Sequence, residues 1–370
     1  IPGEQGKRDL FALGYAFLNN FIMYSPQNQQ TMHNHLPLFW GHMGTRGLAV
    51  ADMLAGMFKD NATLIDKVDE TLLVNLFSKF DVFGKMARWL RLLESFLTVN
   101  GKPHKINQGR VMKQIINNAN VLGLSDSNPG SSVLFHNERY SQMLRRENLN
   151  PGSSETTRMG SLLQFHIDSV KLVAGCCLGK NSSTEVKARS MLTLELCVSS
   201  IVDCSHMLDD QGKREKSQTM RLRIREVCLV RGAWLRVLSE VYVDSDNQGV
   251  KDILLECQNG IIQPRPGGAD TDTVLRLVLV DMKTVVAAHA HGILTDVLIN
   301  YATNALMLFA AGWFDNIRVS DHECTSAEMR FREQFTRLVR QLLFIIRGFD
   351  ETRERERWES ILIKGLMKLS

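Results

Sequence analysis

Histidine pairs are the residues best suited by type to metal binding or proton transfer, and two occur, His33-x-His35 and His289-x-His291. The second sits in a helix-periodic segment, where residues two apart point about 200° from each other and cannot chelate one ion. Zinc would ask for ligands four apart, or cysteines at loop spacing, with further ligands elsewhere. Neither pair meets that, so both read as structural or surface histidines and no metal ligand is assigned. Cys204-Ser205-His206 places a nucleophile beside a base, but a working dyad also needs an orienting group and an oxyanion site, and the chain supplies neither. Asp244-Ser-Asp246-Asn-Gln248-Gly249 has the first, third and sixth positions of a calcium loop, yet its twelfth position is Leu255, with Glu256 one place late. It reads as a polar turn capping the next helix. No phosphate-cradling glycine motif occurs. The chain is therefore expected to be no enzyme, with no catalytic residue, metal or cofactor.

Binding chemistry is better represented. Lys213, Arg214, Lys216, Arg221, Arg223, Arg225, Arg231 and Arg236 form the densest basic stretch. Val227, Val230, Trp234, Val237, Leu238 and Val241 make its apolar stripe, with Arg225 and Arg236 on other faces. Arg221, Arg225, Arg231 and Arg236 are the candidate partner-binding patch, suited to an acidic protein or an inositol phosphate. Against this stands a solvated face pairing with Glu226 and Glu240.

The elements that hold these residues are helices almost throughout. Apolar residues recur every three or four positions, as in Val50, Met53, Leu54, Met57 and Phe58. The strand-like Val241-Tyr242-Val243 only ends a helical stripe. Turn residues at Asp60-Asn61, 100–103, 127–130, 150–154, 179–181, 244–249 and 263–268 cut the chain into helix-sized pieces. No strict repeat is visible, only a loose recurrence of hairpins. The expected fold is all-α, an armadillo/HEAT-like α-solenoid, with residues 1–261 as one domain and 262–370 as a continuing helical subdomain. The clusters at 125–132 and 150–155 read as loops. Near the C-terminus, Trp358, Ile361, Leu362 and Leu366 form a stripe that Leu338, Leu342, Ile345 and Ile346 can cover, beneath a face of alternating charge.

Bulk composition narrows the class. With 44 basic and 40 acidic residues the net charge is only +4, too balanced to imply nucleic acid or an anionic membrane as main partner. Seven cysteines without a C-x-x-C pair read as free thiols, and the chain as cytoplasmic. The sequons at Asn61 and Asn181 then carry no meaning. The apolar run 297–314 is interrupted by Asn300 and Asn304 and reads as a buried helix, not a membrane span. The opening Ile1-Pro2-Gly3 lacks an initiator methionine and a signal-peptide pattern, and reads as a piece of something longer.

Order and spacing of several segments carry a resemblance: Asn28-Gln29 through Lys59-Asp60-Asn61, then Arg88-Trp89-Leu90-Arg91-Leu92-Leu93, Asn100-Gly-Lys-Pro103, Ser132 to Glu138, Phe165 to Ala174, Gly179-Lys180-Asn181 with Thr184 to Lys187, and Val230 to Asp244. They resemble the RIH module shared by inositol trisphosphate and ryanodine receptors, over roughly 10–245, and are most similar to the central RIH region of the former. The resemblance implies an armadillo-like cytosolic element of a calcium-release channel, one that assembles the cytoplasmic region and relays movement toward the pore. Its partners would be other segments of a large assembly, on the cytosolic face of the endoplasmic reticulum. A stand-alone soluble scaffold, cytoskeletal or ciliary, is the alternative. The first RIH region of the family carries a basic run before its Asn-Gln pair. Here Ser25-Pro26-Gln27 stands in that place, so inositol phosphate binding by that route is not expected.

Overall fold

The computed structural model describes residues 2–45, 47–84, 86–122, 154–203, 217–259, 271–290, 296–312, 322–348 and 353–369. They fall into two units, one built from 2–122 with 154–187, the other from 188 onward.

The first unit opens with α1 (Pro2–Ile22), α2 (Pro26–His33), α3 (Leu36–His42) and α4 (Val50–Phe58). Short α5 (Ala62–Ile65) leads into α6 (Glu70–Phe83) and α7 (Ala87–Ser95). After a two-stranded hairpin come α8 (Lys105–Asn117), α9 (Ala119–Leu122), α10 (Ser154–Cys177) and the start of α11 (Ser182–Met191). Side-chain caps set several starts: Ser25, Asn61, Asp69 and His104 each accept from a backbone N–H three residues on. The periodic stripe of α4 is buried as its spacing dictates, at Val50, Met53, Leu54, Met57 and Phe58. It packs on α1 and α7, and α7 packs in turn on α10. Trp89 is the largest side chain of this core, edge-on to Phe80 at 5.1 Å, while Phe58 meets Phe96 at 4.9 Å.

The hairpin departs from the otherwise helical order. Strands β1 (Thr98–Val99) and β2 (Lys102–Pro103) pair antiparallel across Asn100-Gly101. Both turn residues take positive φ, 49° and 74°, the backbone that a two-residue hairpin loop requires and that Asn-Gly supplies at little cost.

The second unit contains α12 (Leu194–Asp203), α13 (Ser217–Val237), α14 (Gln248–Asn259), α15 (Thr271–Ala290), α16 (Asp296–Ala310), α17 (His322–Arg347) and α18 (Arg353–Leu369). Helix α16 packs between α13 and α18, and α15 pairs with α12 and α17. Residues 297–310 of the 297–314 run thus form a buried helix, lined inward by Leu298, Ile299, Tyr301, Ala305, Leu306 and Phe309. None of the described helices is long and apolar enough to cross a membrane. The stripe at Leu362 is covered by α17 as expected, and Arg347 pairs with Glu359 at 2.7 Å.

The architecture is all-α and solenoid-like. Its grouping differs from a division at 261/262: α13, before that point, makes its main contact with α16, after it. The loop read at 125–132, residues 150–153 of the loop read at 150–155, and 260–270 lie outside the described residues, while 154 and 155 open α10.

Candidate functional site

The first unit is organised around two buried carboxamides that make the same set of bonds. Gln29, on the first turn of α2, donates from Nε2 to the carbonyls of Gly56 (2.9 Å) and Lys59 (3.2 Å), at the end of α4. Its Oε1 accepts from Asn61 Nδ2 at 2.9 Å, and that amide also donates to the Pro26 carbonyl. Gln108, on the first turn of α8, donates to the carbonyls of Gly175 (3.1 Å) and Leu178 (3.0 Å), at the end of α10. Its Oε1 accepts from Asn181 Nδ2 at 3.0 Å, which reaches the Lys105 carbonyl as well. The residue before each asparagine is left-handed and not glycine: Asp60 at φ 57° and Lys180 at φ 60°. Each glutamine follows an asparagine that ties back to the preceding helix, Asn28 to the Phe21 carbonyl and Asn107 to the Phe96 carbonyl.

The last turn of a helix leaves carbonyls without intrahelical partners, and a buried amide needs acceptors for both its hydrogens. Each clamp answers both needs. Gln29, Asn61, Asn107, Gln108 and Asn181 are all buried.

The hairpin touches both clamp turns. Asp60 Oδ1 accepts from the Asn100 backbone N–H at 2.7 Å. On the other side a Cβ at Gly179 (φ +76°) would collide with Pro103 Cγ, so only glycine fits that approach. A chain of contact therefore runs from the first clamp turn through β1–β2 to the second.

Sequence reading singled out Asn28-Gln29, Lys59-Asp60-Asn61 and Gly179-Lys180-Asn181, but saw no strict repeat. The structure brings them together and supplies the missing member, Asn107-Gln108, whose dipeptide repeats Asn28-Gln29. That identity, with a polar residue before each later asparagine, was the available signal. Asn61 and Asn181, the two sequon residues, are the amides of the clamps.

In the second unit the basic patch separates. Arg225 is exposed, Arg236 is half-buried, and the side chain of Arg221 lies outside the described residues. Arg231 corrects the expectation of a surface group: it is fully buried, donates from Nε to the Ile201 carbonyl at 3.1 Å and pairs through Nη1 with Asp281. Tyr301 donates to the same carboxylate at 2.6 Å. Burial first, then the Asp281 charge, raises the Tyr301 hydroxyl well above its ordinary value, so it remains a donor. The reason was in the spacing. Arg231 lies four after Val227 and three before Trp234, inside the apolar stripe.

Beyond α13, residues Leu238–Val243 form a π-helical turn, closed by Asp244 N–H to the Ser239 carbonyl at 2.8 Å. Tyr242 donates to the Leu192 carbonyl at 2.7 Å, and Arg189 to that of Val241 at 3.0 Å. Glu240 is buried here, and burial outweighs the nearby Arg236 to push its carboxyl up to about 7. The polar turn that follows caps α14 through Asn247 Oδ1 to Val250 N–H at 3.4 Å.

The remaining candidates do not assemble. His33 packs edge-on against Phe58 and His35 stands exposed at the start of α3, while His291, Cys204 and His206 fall outside the described residues. Cys176, Cys177, Cys197 and Cys228 are buried thiols, and burial pushes those of Cys197 and Cys228 far from ionisation. Among the described residues, no three of His, Cys, Asp and Glu gather as metal ligands. A concavity of about 990 Å³ lies on α15 and α17, lined among others by Val286, Met329, Arg337, Arg340 and Phe344, an apolar floor with a basic rim.

Comparison with known proteins finds two similarities. Residues 2–126 match the family model of the RIH domain. That segment contains the whole first clamp and Gln108 of the second. A stretch of 246 residues, 64% of this chain, is 22% identical to the inositol 1,4,5-trisphosphate receptor itr-1 of Caenorhabditis elegans. The chain spans 7% of the length of that relative.

Two outcomes follow from this geometry. Gln108→Leu strands the Gly175 and Leu178 carbonyls and the Asn181 amide, and is expected to cost ~2–4 kcal/mol in urea unfolding, while Asn28→Ala, at a partly exposed bond, costs under ~1 kcal/mol. Glu240 has its folded pKa raised from 4.5 to about 7, so the folded state holds the proton more tightly and stability falls as pH rises between those values. Melting curves should show wild type losing stability relative to Glu240→Gln from pH 4.5 to 7, and parallel pH profiles would contradict the assignment.

Proposed function

We propose that the chain is a non-enzymatic regulatory and assembly segment of an intracellular calcium-release channel of the inositol trisphosphate receptor type, and that it relays conformational change through its stacked helices. The observation that carries this reading is the RIH match over 2–126 coinciding with the repeated amide clamp. Similarity to itr-1 over 246 residues supports the receptor side of the RIH family.

The clamps suit a relay. Each fixes the end of one helix against the start of another by bonds that cannot be traded for water, and the hairpin joins the two turns. A displacement at α4 therefore reaches α10 through Asp60, Asn100, Pro103 and Gly179 rather than dissipating in a mobile loop. Buried polar networks of this kind have discrete arrangements, which is what transmission of a two-state change requires. On this reading the segment lies on the cytosolic face of the endoplasmic reticulum with other parts of the same assembly as partners, and the RIH match supports that setting.

Peptide mapping of the endogenous polypeptide that carries this sequence tests the reading. We expect peptides extending far beyond Ser370, including a cluster of apolar membrane spans, and reduced agonist-evoked calcium release when Gln108→Leu is introduced into that polypeptide. A polypeptide ending near Ser370 would overturn the channel reading and leave a stand-alone scaffold.

A further inference from the structure

Helix α17 has one face that the second unit leaves open. At 100° per residue Met329, Glu333, Arg337, Arg340 and Phe344 fall within about 80° of one another, and they line the concavity of about 990 Å³ on α15 and α17. Val286 of α15 lies half-buried in its floor. Met329 is 60% exposed and Phe344 80%, which makes Phe344 the most exposed large apolar side chain among the described residues. These two stand at opposite ends of the groove, about 22 Å apart along the helix axis.

Charge says what the groove takes. Among the described residues its lining holds three arginines, Arg332, Arg337 and Arg340, against one acid, Glu333. Arg337 and Arg340 are exposed and make no ion pair among the described residues, although they sit one turn apart, where like charges repel. The same stripe runs on to Arg347, two turns past Arg340 and so on the same side of α17. There the chain supplies an acid itself: Glu359 of α18 accepts from Arg347 Nε at 2.7 Å. What answers this stripe at its end is therefore an amphipathic helix that presents a glutamate, and the rest of the stripe has the same need.

We propose that the groove on α15 and α17 receives an acidic amphipathic helix from outside residues 1–370. Apolar side chains near the two ends of that helix pack on Met329 and Phe344, and carboxylates between them pair with Arg337 and Arg340. A span of about 22 Å sets its length at roughly 15 residues. A second copy of this chain would bring the same arginines to the contact, so the groove does not close on itself. Nor does it suit a lipid surface, which takes one continuous apolar face, whereas here charged residues separate two apolar ends. The inference is independent of the channel reading, since it rests on the chemistry of this groove alone.

Photo-crosslinking in the endogenous full-length polypeptide tests it, with benzoylphenylalanine introduced in place of Phe344. Mass spectrometry of the adduct should identify one segment outside residues 1–370, with apolar residues at helical period and an excess of Asp and Glu. We expect Arg337→Glu with Arg340→Glu to lower the crosslink yield at least ~10-fold, and reversal of the segment's own acids to lysine to restore it. Arg225→Glu, equally exposed on α13, should change nothing. Because Arg337 and Arg340 stand in solvent and not in the core, circular dichroism should show the double variant folded. Absence of any crosslink overturns the proposal, as does an adduct with lipid, with residues 1–370 of a second copy, or with a segment lacking the acidic excess. So does a yield that the arginine reversal leaves unchanged. A polypeptide that ends near Ser370 leaves the test in force, since the helix then comes from another chain.

Discussion

A carboxamide sealed from water has two hydrogens and an oxygen to satisfy, and the first unit depends on doing this twice. Gln29 and Gln108 could not be buried without the free carbonyls at the ends of α4 and α10, and those helix ends could not be buried without a donor. The hydrophobic stripes bring the helices together but tolerate small slides. Hydrogen bonds with fixed distances do not, so the clamps set which turn of one helix faces which turn of the next. The left-handed residues Asp60 and Lys180 are a consequence: the chain must reverse within two residues to bring each asparagine back to its glutamine.

The second unit solves the same problem with charge. Arg231 and Asp281 are both sealed between helices, where the Ile201 carbonyl accepts from Arg231 and Tyr301 donates to Asp281. Such a pair adds little net stability over an apolar contact, yet loss of one partner is costly, so it favours one packing over alternatives. Beside it, the Gly232 carbonyl accepts from Asn304 at 3.1 Å and ties α13 to α16. The π-turn after α13 then carries a carboxyl group, Glu240, that titrates near neutrality.

Much of the fold was legible in the sequence because helical periodicity is a one-dimensional property. The stripe of α4, the buried character of 297–310 and the capping turn at Asn247 all follow from local spacing. Order of short segments sufficed for the RIH resemblance. What escaped was pairing across distance. The Asn-Gln dipeptides at 28 and 107 were separated by unequal inserts, 32 residues to the first clamp asparagine and 73 to the second, so no fixed period exposed them. Arg231 was misread because its charge outweighed its position within the apolar stripe. The division into units likewise rests on the packing of α13 with α16, which no local composition records.

Coupling between the two clamps is the property on which a relay stands, and a double-mutant cycle measures it most directly. Asn61→Ala and Asn181→Ala would be made singly and together in the whole chain and unfolded in urea. If the hairpin joins the clamps, the two losses are non-additive by ~1 kcal/mol or more. Losses that add within ~0.3–0.5 kcal/mol would show two independent fastenings and contradict the account.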